Sequence, residues 1–166
     1  MATRPKRGNR GGSAQARKPA SKAGAVKKAV ARKPVTAAIR PVDIDPGWAW
    51  DDRLPFVQGK QLGNLIYVSG QASLDPDGKL VGEGDIKAQT RQALENMKIV
   101  LAAAGAGLRD VIKLSSYITD ASLYREFSET RSEIFGGHRP ASTVVVVSAL
   151  AFPGLMVEIE AIALKP

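Results

Sequence analysis

Two stretches of the chain have hydrophobic residues at every third or fourth position, the spacing typical of an amphipathic helix. The first predicts a helix from Ile86 to about Ala104, with Asp85 as its N-cap and Gly105 just beyond its end. The second predicts a helix over residues 122–135, which two glycines terminate.

Four further segments have the β-branched composition or the alternation typical of strands. They are residues 64–70, 111–119, 143–150 and 155–164. The third, TVVVVSAL, is continuously apolar and predicts a strand covered on both faces. In the second, we expect Ile112, Leu114 and Ile118 to share one face. The order strand, helix, strand, helix, strand, strand predicts an α+β fold in which both helices pack on one face of a mixed sheet.

Charge is distributed unevenly along the 166 residues, whose formal net charge is +8. Residues 1–41 hold 12 of the 24 basic residues and no acidic one, so residues 42–166 carry 12 basic against 16 acidic side chains, a net of −4. The first segment has no aromatic residue and cannot bury enough apolar surface to offset the entropy of ordering. We therefore expect a disordered basic tail over residues 1–41 and one domain over residues 42–166.

Several interpretations of the tail remain open. Its cations would bind nucleic acid or another polyanion through phosphate contacts. An organelle transit peptide is also rich in arginine and poor in acidic residues, but the abundant glycine and lysine of this segment are not typical of one. The segment could also precede the true start of translation, or have no dedicated partner. The nucleic-acid-binding candidates are Arg4, Lys6, Arg7, Arg10, Arg17, Lys18, Lys27, Lys28, Arg32 and Lys33.

The composition also excludes several classes of site and of protein. There is no cysteine, which excludes disulfide scaffolds and thiolate metal sites. A single histidine, His138, cannot build a histidine-based metal cage, so we expect no metal. No apolar run approaches the roughly 18–20 residues that span a bilayer, and the first 41 residues lack the apolar core of a secretory signal. We expect a cytoplasmic protein that does not bind membranes.

Glu158 and Glu160 are the carboxylates best placed for chemistry. Two positions apart on a predicted strand, they project from the same face. The neighbouring Met156 and Ile162 are apolar and would raise a carboxyl pKa, as a general acid or base requires. A solvated polar stripe is the simpler interpretation of the same spacing. The loop around His138 leaves a similar choice between an active loop and a connector.

Four segments of the chain resemble the Rid family, also called the RidA/YjgF family. They are YVSGQ at 67–71, AQTRQALENMKIVLAAAG at 88–105, RPAST at 139–143 and VEIEAIAL at 157–164. The resemblance implies a chorismate-mutase-like fold and a homotrimer with a central barrel and ligand clefts between subunits. It also implies hydrolysis of reactive enamines and imines such as 2-aminoacrylate, without a cofactor. The basic tail has no counterpart in the family.

The resemblance also implies roles for individual residues. Glu158 stands where the family has the glutamate that orients water or protonates the enamine carbon. Phe56 stands in place of a pocket tyrosine, and Ser128 in place of an asparagine on the second helix. Ser142 replaces the arginine that holds the substrate carboxylate bidentately. Gly70, within the YVSGQ segment, is a further expected substrate contact.

The loss of that arginine leaves two functional hypotheses. In the first, the chain is a divergent imine or enamine deaminase, or a relative with a less acidic substrate, and Arg139 is a candidate substitute three residues upstream of Ser142. In the second, it is a non-catalytic trimeric binding protein whose basic tail engages nucleic acid. Some relatives carry an endoribonuclease label, which is a further alternative.

Overall fold

The structure is a computed structural model, and it describes residues 39–48 and 53–166. All the nucleic-acid-binding candidates, and the predicted tail apart from residues 39–41, lie outside the described residues. No helix within the described ranges is long and apolar enough to cross a membrane.

A mixed sheet of six strands forms the centre of the fold. In chain order the strands are β1 Val42–Ile44, β2 Gly59–Leu62, β3 Leu65–Ala72, β4 Val111–Ile118, β5 Ala141–Val146 and β6 Val157–Leu164. Their order in the sheet is β1-β2-β3-β6-β4-β5, antiparallel throughout except for the parallel pair β4–β5. The sequence did not predict β1 and β2, because with three and four residues they are too short to show an alternating pattern.

Two α-helices pack on one face of this sheet, as predicted. They are α1, Ile86–Ala103, and α2, Tyr124–Phe135. The predicted cap of α1 is confirmed: Asp85 Oδ1 accepts hydrogen bonds from two backbone N–H groups of the first turn, at 2.9 and 3.0 Å. Gly105 follows the helix with φ +75°, the left-handed backbone that glycine adopts without strain. The second helix starts later than predicted, because a 3₁₀ turn over Ala121–Leu123 precedes α2.

The hydrophobic core lies between the helices and the inner face of the sheet. β6 shows the division clearly, since Val157, Ile159 and Ala161 are buried under the helices. Alternation of side chains then places Glu158 and Glu160 on the outer face, away from the helices. The prediction that the apolar residues and the two glutamates of the last strand lie on opposite faces is confirmed.

The predicted inner face of β4 is wrong at one end. Ile112 is 47% exposed, whereas the preceding Val111 is fully buried. The pairing of β4 with β6 shifts register between Val111 and Lys113, and a one-residue shift exchanges the two faces of a strand. Leu114 and Ile118 are buried as expected.

The continuously apolar segment 143–150 forms a strand only in part, and the predicted cover on both of its faces is absent within one chain. β5 ends at Val146 and lies at the edge of the sheet, where it pairs with β4 alone. Val145 and Val146 are 44% and 51% exposed, so within one chain this strand is not covered on both faces. Nothing in the described residues of the same chain covers the free edge of β5.

Candidate functional site

A cleft of about 430 Å³ opens where β6 begins. It is lined by the segment before β2, by the last residues of β3 and the turn after them, by one side chain of α1, and by the loop before β6 together with Glu158 of β6. Three predicted site residues, Phe56, Gly70 and Glu158, lie together in this cleft. The fold therefore joins positions that are about a hundred residues apart in the sequence.

Glu158 lies directly over Gly70, and its carboxyl group occupies the space that a side chain at position 70 would take. A Cβ atom at position 70 would be 1.8 Å from Glu158 Oε1 and 2.7 Å from its Cδ. The register of β3 against β6 shifts between Val68 and Gln71, and this irregularity lies beside the glutamate. The missing side chain thus makes room for the carboxyl group within the sheet.

Glu158 is half-buried, and its burial raises the pKa of its carboxyl group above the usual value, with a smaller contribution from the charge of Glu160. The direction of this shift was predicted. The hydroxyl of Tyr117 donates a 3.2 Å hydrogen bond to Glu160 Oε1, and the charge of Glu160 in turn raises the pKa of Tyr117. Of the two carboxylates, Glu158 faces the cleft and is suited to hold a proton, whereas Glu160 is engaged by the tyrosine.

Buried amides fix the walls of the cleft. Gln71 Nε2 donates hydrogen bonds to Gln58 Oε1 at 3.0 Å and to the backbone oxygen of Ser69 at 3.1 Å. Asn96 of α1 donates to two backbone carbonyl groups at the end of β3, at 3.0 and 2.8 Å. These amides hold rigidly the strand that carries Gly70. Gln58 and Asn96 were not predicted as site residues from the sequence, although the spacing of α1 places Asn96 on its buried side.

Arg53 also lines the cleft, beside Phe56, and it was not predicted as a site residue from the sequence. It lies in a stretch without periodicity or motif, so no local signal pointed to it. Phe56 is 54% exposed. One wall of the cleft is therefore an aromatic ring open to solvent, which a ligand or a second protein chain can cover.

The other predicted substrate-binding residues do not line this cleft. Arg139 borders a separate hollow of about 360 Å³, which α2, Leu114 of β4 and the loop before β5 enclose. Ser142 lies on β5, where its Oγ accepts a 2.7 Å hydrogen bond from Arg131 Nη1. Ser128 is half-buried on α2. In one chain the predicted residues thus form two groups.

The pairing of the strands gives the separation of these groups. Ser142 pairs with Leu114, and Glu158 pairs with Tyr117, so Ser142 and Glu158 lie two strands and three residues apart. Strand spacing and rise place their Cα atoms about 14 Å apart. Ser142 shares the helix-facing side with Leu114, whereas Glu158 lies on the outer face. A small metabolite cannot contact both within one chain.

The imidazole ring of His138 is held by a hydrogen bond and by stacking on an aromatic ring, as is typical of a structural role. A carbonyl oxygen only accepts, so the 2.7 Å contact between His138 Nε2 and the backbone oxygen of Val111 is an N–H donation from the ring. The imidazole also stacks on Phe135, with ring centres 6.1 Å apart. Within the described residues, no group of three or more histidine, aspartate or glutamate side chains is placed to hold a metal ion.

Comparison with known proteins shows which proteins this chain is similar to in sequence. The sequence model of the family described as endoribonuclease L-PSP matches residues 49–165. A RutC family protein of Pyrococcus horikoshii is 43% identical over 111 residues, which cover 67% of this chain and 87% of that protein. The 2-iminobutanoate/2-iminopropanoate deaminase of Salmonella typhimurium is 37% identical over 114 residues, covering 67% of this chain and 88% of that protein.

A solved structure extends the likeness to the fold. The crystal structure of the YjgF gene product from E. coli matches with a TM-score of 0.69 at 33% identity, covering 75% of this chain and 99% of that one. Both the six-stranded mixed sheet and the two helices on one of its faces are common to the family. The chain therefore belongs to the endoribonuclease L-PSP family, that is, the Rid/YjgF family.

Proposed function

We propose that this protein is a homotrimeric, cofactor-independent hydrolase that converts small 2-imino acids and their enamines to 2-oxo acids and ammonia. The observation that carries the proposal is the Glu158 carboxyl group, which lies over Gly70 in the cleft with a raised pKa. The similarity to an imine deaminase supports the same chemistry.

The two groups of site residues support the trimer. Glu158 and Ser142 lie on opposite faces of one sheet, so a ligand that meets both needs a second copy of the chain. The unpaired edge of β5 and its exposed Val145 and Val146 offer apolar surface for such a contact. In the proposed assembly, each cleft takes Glu158 from one subunit and the residues around Ser142 from the next.

The first step on an enamine is protonation of carbon. With 2-aminoacrylate as substrate, the protonated carboxyl group of Glu158 donates its proton to the methylene carbon, and the C=C electron pair forms the new C–H bond. The product is the iminium form of 2-iminopropanoate, and Glu158 becomes a carboxylate. A raised pKa keeps a useful fraction of Glu158 protonated for this step.

Hydrolysis then restores the enzyme. The Glu158 carboxylate takes a proton from water as the water oxygen bonds to the iminium carbon. Glu158 returns this proton to the nitrogen, the C–N bond breaks, and ammonia leaves. The remaining hydroxyl proton passes to Glu158 as the carbonyl forms, so enamine and water yield pyruvate and ammonia, and the carboxyl group ends protonated.

The proposal is tested with 2-aminoacrylate generated enzymatically, by timing the loss of the imine. We expect the wild-type protein to accelerate its loss and Glu158→Gln to reduce the acceleration by about 10²-fold or more. Glu160→Gln is the matched control, since it changes the neighbouring carboxylate, which hydrogen-bonds Tyr117, and it should retain most of the rate. A wild-type rate equal to that of the buffer would exclude the proposed activity.

A further inference from the structure

The guanidinium group of Arg131, on α2, is held at two points beside the sheet. Its Nη1 donates the 2.7 Å hydrogen bond to Ser142 Oγ, and its Cζ lies 5.7 Å from the centre of the Phe127 ring. Phe127 is fully buried, so its ring is a fixed platform for a cation–π contact. Arg131 is therefore oriented before any ligand arrives.

Arg131 has no acidic partner among the described residues. Five ion pairs occur there, and they engage two other arginines of the helices, Arg91 with Glu133 and Arg125 with Glu129. A guanidinium group has five N–H donors, and the described residues accept one hydrogen bond from that of Arg131. The charge and most of the planar donor fork remain for an external anion.

The hollow beside Arg131 is positively charged. Its lining includes Arg131 and Arg139, together with Ser132 and His138, and no carboxylate from the described residues borders it. Its volume of about 360 Å³ falls within the range of small-molecule sites. A planar carboxylate suits this arrangement, because it accepts two parallel N–H bonds from one guanidinium group.

We propose that Arg131 binds the carboxylate of the substrate and that Ser142 is a positioning residue for Arg131. The serine side chain is too short to replace an arginine, but its Oγ contacts a guanidinium group that α2 supplies instead. This inference rests on the proposed function, since the carboxylate belongs to the imine whose carbon reacts at Glu158 of the neighbouring subunit. The substrate class is thereby 2-imino acids with a free carboxylate.

The test is a titration of the full-length protein with pyruvate, followed by ligand-observed NMR. Pyruvamide, which matches pyruvate in size but lacks the carboxylate, serves as the comparison ligand. We expect Arg131→Gln to raise the Kd for pyruvate about tenfold or more, and to leave the Kd for pyruvamide unchanged. Arg125→Gln is the matched control, because it removes the same charge from an exposed position on the same helix.

Two further variants separate orientation from charge. Arg131→Lys keeps the charge but loses the planar fork, and Ser142→Ala removes only the hydroxyl that orients it. Both should raise the Kd for pyruvate by about three- to tenfold. Melting temperatures establish that each variant is folded. If Arg131→Gln does not fold, the Kd of Arg131→Lys for pyruvate is compared with that of the wild type instead. Displacement of pyruvate by equimolar inorganic phosphate would indicate a general anion site and overturn the assignment to a carboxylate.

Other outcomes distinguish this inference from the proposed function. An unchanged Kd for pyruvate in Arg131→Gln, an equal loss in Arg125→Gln, or no saturable binding by the wild-type protein would overturn the site. If the imine is not hydrolysed but pyruvate binding depends on Arg131, the proposed function fails and the site stands. If hydrolysis continues in Arg131→Gln with an unchanged KM, the site fails and the proposed function stands.

Discussion

At the scale of single residues, the contact between Gly70 and Glu158 makes two demands on the chain. The observed position of the carboxyl group needs a residue without a Cβ atom at position 70, and it leaves that carboxyl group half-buried. The first demand constrains the geometry of the site, and the second determines how the stability of the protein depends on pH.

Gly70→Ala is expected to displace the Glu158 carboxyl group, because the added Cβ would lie 1.8 Å from Oε1. The imine hydrolysis rate should fall by about 10²-fold, since a misplacement of about 1 Å has that effect on well-oriented groups. Gly107→Ala is the control, because no atom lies within 4 Å of a Cβ there. Equal rates for the two variants would mean that the position of the carboxyl group over residue 70 is unimportant.

Glu158 is also expected to make the protein less stable as the pH rises. Its pKa is raised in the folded state, so its contribution to stability is fully present below the unfolded value of about 4.3 and is lost as the pH rises through the higher folded value. Glu158→Gln should therefore raise the Tm at pH 7.5, by about 2 °C, and have little effect at pH 4.

Thermal unfolding at both pH values measures this effect. Glu83→Gln serves as the control, since Glu83 is an exposed glutamate near the start of α1. A Tm of Glu158→Gln that is unchanged at pH 7.5, or lower than that of the wild type, would contradict a folded state that favours the neutral carboxyl group. A gain in stability combined with the loss of activity would identify Glu158 as a functional residue with a stability cost.

At the scale of secondary structure elements, β5 is the edge strand whose outer edge is unpaired and whose valines are exposed within one chain. Val145 lies beside Tyr117 in the sheet, on the outer face with Glu158, and is 44% exposed. Val145→Glu would place a charge in the proposed interface between subunits, and we expect it to convert the proposed trimer to monomers. Sedimentation velocity measures the change. Tyr124→Glu, at a 51% exposed site on α2, should remain a trimer.

The same strand shows what the sequence predicts and what it does not. The spacing in α1 and its Asp85 cap are local, so the helix could be predicted from one segment. The valines of β5 indicate burial, but the sequence does not say what covers them, and in one chain Val145 and Val146 are exposed. Likewise, Arg131 lies three residues after Ser128, one helical turn, yet its contact with Ser142 arises only when α2 packs beside β5.

At the scale of the whole molecule, the opposite charges of the two parts of the chain lead to a prediction for the tail. Residues 1–41 carry twelve of the basic residues and no acidic residue. We expect the full-length protein to be retained on duplex DNA at about 50 mM salt and released as salt rises, because each phosphate contact releases counterions. A protein that lacks residues 1–38 should pass through. Equal retention of the two would exclude binding to DNA by the tail.

Arg131 and Glu158 lie on opposite faces of one subunit, and this placement leads to a prediction for trimers that are assembled from two different variants. Arg131→Gln, which weakens substrate binding, and Glu158→Gln, which removes the proposed acid, would complement each other when their subunits mix. A ring of three that contains both kinds has one cleft with an intact arginine and an intact glutamate. Random mixing in equal amounts should restore about one quarter of the wild-type clefts. At a substrate concentration below the KM of Arg131→Gln, the mixture should then hydrolyse the imine faster than either variant alone, as expected if the proposed active sites are shared between neighbouring subunits.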